Sequence, residues 1–503
     1  MVASIKPHRE AIGLTDGQLY IDGKWGAAAG GETWTHLHPA TGEEVARFPV
    51  STVDDVDRAV RAARKAFDEG PWPRSRARER IRVLRRVSDL VREHADELAR
   101  FQALDNSIPL SFSSSTYAMS MECVADCFDH HAGWVDKLGG QTLPPYQGGD
   151  HMVLTLREPV GVVAAIVPWN APLLLTAQKV APALATGCTV VLKPSEYATF
   201  TVLRLVQLLE EAGLPPGVLN VITGPGDPTG DALIHHPMVD KITFTGSREV
   251  GRKVMLAAAT NFKRVSLELG GKSPSLVFAD ADVYAAAAVT TGTVTLGLSG
   301  QACVAQSRAI VHRDVYDQFI AIASGMSSIV SYGDPFDPLV NAAPLINARQ
   351  LDRVLGFVAR GVEEGATLVC GGTRGDGDLA SGNFVTPAVF ADVRNDMAIA
   401  RNEIFGPVLC VVPFTDEEEA VRLANDTEYG LGATVWTADS KRAFRLAKSI
   451  RAGTVGVNGY QLEIHAPFGG FGQSGLGREG GRASIESYTE LKTVLIPTTE
   501  ELM

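Results

Sequence analysis

Cysteine is scarce: there are six in 503 residues (Cys123, Cys127, Cys188, Cys303, Cys370 and Cys410), and no two form a C-x-x-C pair. Such spacing carries neither a disulfide framework nor a zinc-site pattern, so reduced thiols and no metal site are expected. Positive charge is in deficit, with 46 Lys plus Arg against 58 Asp plus Glu and a formal net charge of -12. Neutralising phosphates takes clustered Lys and Arg, and no long basic run exists, so nucleic acid is excluded as a general partner. Long apolar runs are missing too. The longest, residues 160–167, is too short for the roughly 30 Å of hydrocarbon in a bilayer. The opening Met1-Val2-Ala3-Ser4-Ile5-Lys6-Pro7 has no apolar core of signal-peptide length. The expectation is a soluble cytoplasmic protein with no membrane partner, acting on small molecules or pairing with copies of itself.

What is present is the composition of a globular enzyme, 45% hydrophobic and 21% charged. At roughly 100–200 residues per domain the length predicts two to four domains. Residues 53–138 are mostly helical in pattern, with apolar spacing of three and four in Val56-Ala59-Val60-Ala63-Phe67 and Ile81-Leu84-Val87-Leu90-Val91. Asp54 and Asp55 read as a helix start and Gly70-Pro71 as a stop. Between 160 and 269, apolar strands at 160–167, 189–192, 218–223, 241–245 and 264–267 alternate with helical stretches at 201–212 and 248–259. This is the βαβ signature of a mostly parallel sheet, which binds ligands beyond the carboxyl ends of its strands. A second α/β alternation starts at Leu276-Val277-Phe278 and runs through 309–311, 367–369 and 408–413. Turn residues followed by alternation at 139–158 predict an excursion arm.

Several segments could carry chemistry. Ser299-Gly300-Gln301-Ala302-Cys303-Val304 sets a cysteine in a small-residue turn. A thiolate is a strong nucleophile there, although a lone Cys is usually a small buried hydrophobe. Glu268-Leu269-Gly270-Gly271-Lys272-Ser273 ends a strand with a carboxylate; it reads either as a general base in a dry cleft or as a Glu capping a helix or paired with Lys272. Pro168-Trp169-Asn170-Ala171-Pro172 offers Asn170 as an oxyanion donor or, more blandly, as a cap. Lys193-Pro194-Ser195-Glu196 puts a carboxylate after the second strand, in reach of ribose hydroxyls. Gly224-Pro225-Gly226-Asp227-Pro228-Thr229-Gly230 is a poor dinucleotide fingerprint, with one residue too many between its last glycines. Phe244-Thr245-Gly246-Ser247 leads into a helix, with Ser247 as N-cap near backbone donors able to hold a pyrophosphate. Asn402-Glu403-Ile404-Phe405-Gly406-Pro407 and the Gly-rich Pro467-Phe468-Gly469-Gly470 loop could be ordinary turns.

Taken together and in order, these segments resemble the aldehyde dehydrogenase superfamily, of the NAD(P)-dependent hydrolytic type, over nearly the whole chain. The resemblance implies an α/β fold with a Rossmann-like cofactor domain (18–138 and 159–269), an α/β catalytic domain (270–480) and a small β oligomerisation arm (139–158 and 485–503). It implies oxidation of an aldehyde to the carboxylic acid through a thiohemiacetal and thioester on Cys303, with Asn170 holding the oxyanion, Glu268 activating water, and Lys179 in the catalytic set. Lys193 and Glu196 would hold the adenosine ribose, with Ser195, Gly226 and Gly230 nearby. Ser247 and Val250 would lie at the pyrophosphate, and Glu403 with Phe405 at the nicotinamide ribose and ring. Ile166, Val167, Pro168, Trp169, Phe244, Thr245, Gly246 and Leu269 complete the implied cofactor site. Glu196 suits a free 2′-hydroxyl better than a 2′-phosphate, since like charges repel, so NAD is favoured over NADP.

Some positions depart from the family's common pattern. Ala171 and Gln178 stand where aromatics are frequent, Gly472 where Lys is common, and Cys303 is flanked by the apolar Ala302 and Val304. With Leu174 and Phe468, the positions Ala171, Gln178, Ala302 and Val304 imply a substrate pocket that is wide at its mouth and largely apolar, for a medium-sized, branched or aromatic aldehyde. Glu463 and His465 add polarity to that loop. The resemblance also implies a homodimer or homotetramer, the arm pairing with the C-terminal strand, residues 488–496, of another subunit. A CoA-acylating semialdehyde dehydrogenase is an alternative that the carboxylate of Glu268 disfavours; a catalytically retired binding or structural protein is another, against which Cys303, Glu268 and Asn170 are all intact.

Overall fold

A computed structural model describes residues 4–498. Met1, Val2 and Ala3 of the opening segment and residues 499–503 of the expected arm lie outside the described residues. The strands in chain order are β1 (Leu19–Ile21), β2 (Lys24–Gly26), β3 (Thr33–Leu37), β4 (Glu44–Pro49), β5 (Thr142–Leu143), β6 (His151–Pro159), β7 (Val162–Ile166), β8 (Thr189–Lys193), β9 (Leu219–Val221) and β10 (Lys241–Thr245). They continue as β11 (Arg264–Glu268), β12 (Pro274–Val277), β13 (Arg308–His312), β14 (Thr367–Cys370), β15 (Ala388–Ala391), β16 (Val408–Phe414), β17 (Gly432–Trp436), β18 (Thr454–Val457), β19 (Gly475–Leu476) and β20 (Thr489–Pro497).

The first sheet has the order β19-β11-β10-β7-β8-β9-β1-β2, with β7 to β11 parallel. β7 to β10 are almost wholly buried along their length because helices cover both faces, which is why they read as nearly unbroken apolar runs, while β11 is buried from Ser266 on. The chain builds outward from β7 through β8 and β9, then returns to add β10 and β11 on the other side. The strand order therefore reverses between β7 and β10, where an open α/β sheet forms its ligand crevice. Helix Val53–Asp68 starts with a capping box in which Thr52 and Asp55 satisfy each other's backbone donors. It buries Val56, Ala59, Val60 and Ala63 against this sheet.

The second sheet, β14-β15-β16-β13-β12-β17-β18, is parallel except for β14. Only residues 269–273 separate β11 of the first sheet from β12 of the second, so the Glu268 segment crosses between two cores. The arm is a third sheet, β20-β6-β5. Here the structure corrects the sequence reading: β20 pairs with β6 of the same chain, from Thr489↔Pro159 to Pro497↔His151. The cause is local anchoring. Ile485 and Tyr488 are buried in the first core, and the carbonyl of Tyr488 accepts the N–H of Val160 at 3.0 Å, which delivers the departing strand beside β6. Leu491, Leu495 and Ile496 of β20 stay exposed.

Among the described residues no helix is long and apolar enough to cross a membrane. None of their His, Cys, Asp and Glu side chains group in threes or more so as to hold a metal ion.

Candidate active site

Cys303 follows the helix Val283–Thr295 through a turn in which Ser299 (φ 49°) and Gly300 (φ 70°) are left-handed. A Cβ on Gly300 would sit 2.2 Å from the carbonyl oxygen of Gly406, so only glycine fits that approach. Gln301 locks the turn: its Nε2 donates to the carbonyls of Leu298 (2.9 Å) and Pro344 (3.0 Å), and its Oε1 accepts the N–H of Ile346 (2.9 Å). Asn170 is no helix cap; Ala171 holds that position, and Asn170 Nδ2 donates to the Gln301 carbonyl at 2.9 Å. The Asn170 amide is thereby fixed beside the turn bearing Cys303. From the other side, a Cβ on Gly271 would lie 2.4 Å from the Cys303 carbonyl oxygen, so the Gly270-Gly271 turn after Glu268 abuts the cysteine.

Glu268 is 3% exposed and its Oε2 has no partner among the described residues. No pair with Lys272 forms; the Lys272 ammonium is itself enclosed without a partner. Burial, followed by the nearby Glu479 carboxylate, holds the Glu268 carboxyl well above its ordinary range, while Lys179 and Arg478 pull the other way. Lys179 is fully buried, ion-paired with Glu479, and donates to Thr245 Oγ1 at 2.6 Å. Burial, then the charges of Glu403 and Glu268, push the Cys303 thiol up to about 12.

The implied cofactor residues collect at one rim. Cross-strand register puts Ile166 beside Lys193 and Thr245 beside Glu268, at the carboxyl ends of β7, β8, β10 and β11. Val167 is buried just beyond β7, and Pro168 and Trp169 follow it. Lys193, also buried, lies 4.0 Å from Glu196, whose Oε2 is 3.5 Å from Ser195 Oγ. Gly230 lies against the Lys193 side chain, whereas beside Gly226 the space is open. Ser247 caps the helix Arg248–Ala259 through the N–H of Val250 at 3.3 Å. Gly246 leaves room for the Phe244 ring, 2.5 Å from where a Cβ would be, and Gly251 leaves room for Leu269. Glu403 Oε1 accepts the Gly271 N–H at 3.0 Å, and burial raises its carboxyl to about 7. Phe405 meets Trp169 edge-on, with ring centroids 5.6 Å apart.

Of the implied pocket residues, Ala171, Leu174 and Gln178 lie on the Pro172–Thr186 helix and its cap, Ala302 and Val304 flank the cysteine half-buried, and the Phe468 backbone pairs with Glu479. His465 is exposed and pairs with Glu463 at 3.3 Å, with none of the three central residues. Sequence reasoning missed Glu479, whose only signal is a place after the Gly-rich loop. It also missed Gln350 and Arg353, which tie down the carbonyls of the 403–405 turn, and Ser474, whose Oγ donates to the Gly270 carbonyl at 2.7 Å. The buried Tyr460 hydroxyl, without a partner among the described residues, was missed as well.

The strand ends of a doubly wound sheet, a cysteine and a buried carboxylate without a partner among the described residues meet at one rim, which is the site architecture of an α/β enzyme. The chain belongs to the aldehyde dehydrogenase family, whose profile matches residues 25–494. It is 43% identical over 488 residues to a mitochondrial aldehyde dehydrogenase of Arabidopsis thaliana, covering 96% of this chain and 89% of that one. Benzaldehyde dehydrogenase of Antirrhinum majus is 41% identical, covering 97% and 90%. The crystal structure of betaine aldehyde dehydrogenase from Staphylococcus aureus, in complex with NAD+, superposes with a TM-score of 0.95 at 36% identity, covering 99% of this chain and 98% of that one. The chain has the aldehyde dehydrogenase fold and is an oxidoreductase of the aldehyde group.

Proposed function

We propose that this protein oxidises an aldehyde to its carboxylic acid through covalent catalysis at Cys303. The observation that carries the reading is the convergence on Cys303 of the Asn170 amide and the turn after Glu268. The Cys303 sulfur adds to the aldehyde carbon, and Asn170 Nδ2 with the Cys303 N–H stabilises the resulting alkoxide. Oxidation leaves an acyl thioester on Cys303. Glu268 then takes a proton from the attacking water, a role that a raised carboxyl pKa suits, because a base works best with a pKa near the working pH. Lys179 and Glu479 hold opposite charges behind it and bias its protonation.

The rim fits NAD. The Arg248–Ala259 helix points its N-terminus at the switch point, Gly246 is compelled by the Phe244 ring, and the Lys193–Glu196 pair stands where ribose hydroxyls would bond. When bound, NAD supplies the hydride acceptor. Lys193, Ser195 and Glu196 would hold its adenosine end, Ser247 and Val250 its pyrophosphate, and Glu403 with Phe405 its nicotinamide end. The Glu196 carboxylate favours the free 2′-hydroxyl of NAD over NADP. The sheets accord with a cofactor domain of residues 18–138 and 159–269, a catalytic domain of 270–480 and an arm of 139–158 with 485–503, except that β19 of the 270–480 stretch joins the first sheet and that 499–503 lie outside the described residues. The exposed apolar face of β20 supports a homodimer or homotetramer, and the absence of a membrane-length helix among the described residues accords with a cytoplasmic location.

The test is NADH production at 340 nm with aliphatic, branched and aromatic aldehydes, with and without CoA, for the wild type and Cys303→Ala. CoA-independent turnover that vanishes in Cys303→Ala while NAD still binds supports the reading. An unchanged rate in that variant sinks it.

A further inference from the structure

Two asparagines meet at one peptide bond. The helix Ala95–Asn106 packs Leu98 into the first core and ends against the irregular link Pro168-Trp169-Asn170-Ala171, which joins β7 to the Pro172–Thr186 helix. Asn106 is the last residue of its helix and 4% exposed, and its Nδ2 donates to the Trp169 carbonyl at 2.7 Å. Its Oδ1 accepts the N–H of Ile108 at 3.3 Å. That second bond fixes which way the carboxamide faces, because in the reverse orientation NH2 would meet N–H and oxygen would meet oxygen. The bond to Ile108 closes the turn out of the helix, whereas the bond to Trp169 reaches 63 residues along the chain to the neighbour of Asn170.

The end of the helix from which Asn106 reaches is held on two sides. Asp105, fully buried, accepts the Thr201 N–H on Oδ2 at 2.6 Å, from the first turn of the helix Thr199–Glu211. The Asp105 carbonyl lies 2.7 Å from Nε2 of His36 in β3. Ser107, left-handed at φ 59° and fully buried, is bonded through Oγ to His38 Nε2 at 3.1 Å. A left-handed residue other than glycine persists where its surroundings over-determine it. The helix Thr199–Glu211 and the hairpin of β3 and β4 do so here.

The peptide that Asn106 grips is the one that carries Asn170. The Trp169 carbonyl and the Asn170 N–H belong to one planar unit, so Asn106 sets the plane from which the Asn170 side chain departs. At its other end that side chain gives one N–H to the Gln301 carbonyl, and the second N–H of its Nδ2 is left for an alkoxide. We propose that Asn106 is a positioning residue for the oxyanion site, holding the Trp169–Asn170 peptide so that the Asn170 amide meets the alkoxide formed at Cys303. The inference rests on the function proposed above. An oxyanion donor acts by being in place before charge develops, and an error of about 1 Å in placing such a group costs on the order of 100-fold.

The test compares two reactions of Cys303 in the full-length protein without cofactor. In acetylation by p-nitrophenyl acetate, the sulfur adds to the ester carbon, a tetrahedral alkoxide forms, and p-nitrophenolate leaves to give the acetyl thioester. Alkylation by iodoacetamide displaces iodide at a saturated carbon and forms no oxyanion. The first is followed by p-nitrophenolate release and the second by the mass of the Cys303 peptide, with Cys303→Ala as the blank. The proteins are the wild type, Asn106→Ala, Asn106→Leu, Asn170→Ala and the double variant of Asn106→Ala with Asn170→Ala; leucine keeps the volume of asparagine and guards against a cavity defect. Acetylation should fall about 10- to 100-fold in each Asn106 variant while alkylation stays within about twofold. The double variant should acetylate within about twofold of Asn170→Ala alone. Equal losses in the two reactions, or no loss of acetylation in the Asn106 variants, overturn the role of Asn106. Multiplied losses in the double variant overturn it as well, since Asn106 would then act other than through Asn170. Acetylation of Asn170→Ala at the wild-type rate overturns the oxyanion role of Asn170 itself, and with it that part of the proposed function.

Discussion

Lys179→Met tests whether the charges behind Glu268 act as a unit. Lys179 is 0% exposed and Glu479 3%, and they form an ion pair with Thr245 Oγ1 as a further acceptor. Methionine keeps most of the stem's volume and removes the charge. Glu479 is then buried with no cation on it, a situation that costs about 3–5 kcal/mol. Adding Glu479→Gln removes the stranded charge, so the double variant should regain about 2 kcal/mol or more relative to additivity. The assay is urea unfolding of both single variants, the double variant and the wild type, with midpoints compared at a common slope and with coincident fluorescence and circular dichroism transitions. Stability of Lys179→Met within about 0.5 kcal/mol of the wild type, or strict additivity in the double variant, would refute the reasoning. A kinetic readout accompanies it. Lys179 lowers the Glu268 carboxyl and Glu479 raises it, so the acid limb of the hydrolysis profile should move to higher pH in Lys179→Met and to lower pH in Glu479→Gln. Movement in the same direction in both would contradict the assigned electrostatics.

Glu268→Gln copies the neutral carboxyl that burial favours, so it should fold normally, release a burst of about one NADH per site and then turn over roughly 10²–10⁴-fold more slowly; a slow phase without a burst would place Glu268 before the thioester. Alkylation of Cys303 by iodoacetamide, without cofactor, should rise about tenfold per pH unit from 7 to 9.5, since its thiol is pushed up to about 12; a plateau below pH 9 would contradict that environment. Asp105, fully buried, is raised to about 7 by burial. Its folded pKa exceeds the unfolded value, so the native state binds the extra proton and stability falls as pH rises from about 4 to 7. His36 and His38, lowered by burial to about 4 and about 3, act oppositely: they need to stay neutral, and their cost appears as pH falls below about 6.5. Asp105→Asn should remove the carboxyl component alone, which urea midpoints at pH 5 and pH 7 would read as a smaller loss on going to pH 7; an unaltered difference would count against it.

Much of the first sheet was legible in the chain. The runs at 241–245 and 264–267 became β10 and β11 with a residue or less of adjustment, and the helix at 248–259 has the bounds its spacing and Ser247 cap indicated. Parallel strands buried on both faces write themselves as continuous apolar runs, and a cap writes itself in the residue type before the helix. Less legible were β1 to β4, β15, β17 and β18, segments of three to six residues, too short for their periodicity to stand out.

By itself, the sequence determined the fold class, the family and the local turns that present Cys303, Glu268 and Asn170, because these depend on periodicity, on residue type and on glycines at close approaches. Tertiary structure alone decided the rest. Glu479 stands against Lys179 because β19, a two-residue strand, joins β11 at Gly475↔Glu268 across 207 positions of sequence, from 268 to 475. β20 closes on its own chain because Tyr488 anchors it beside β6. The common reason is that burial, pairing and vacancy are properties of neighbours in space, and a sequence records only neighbours along the chain.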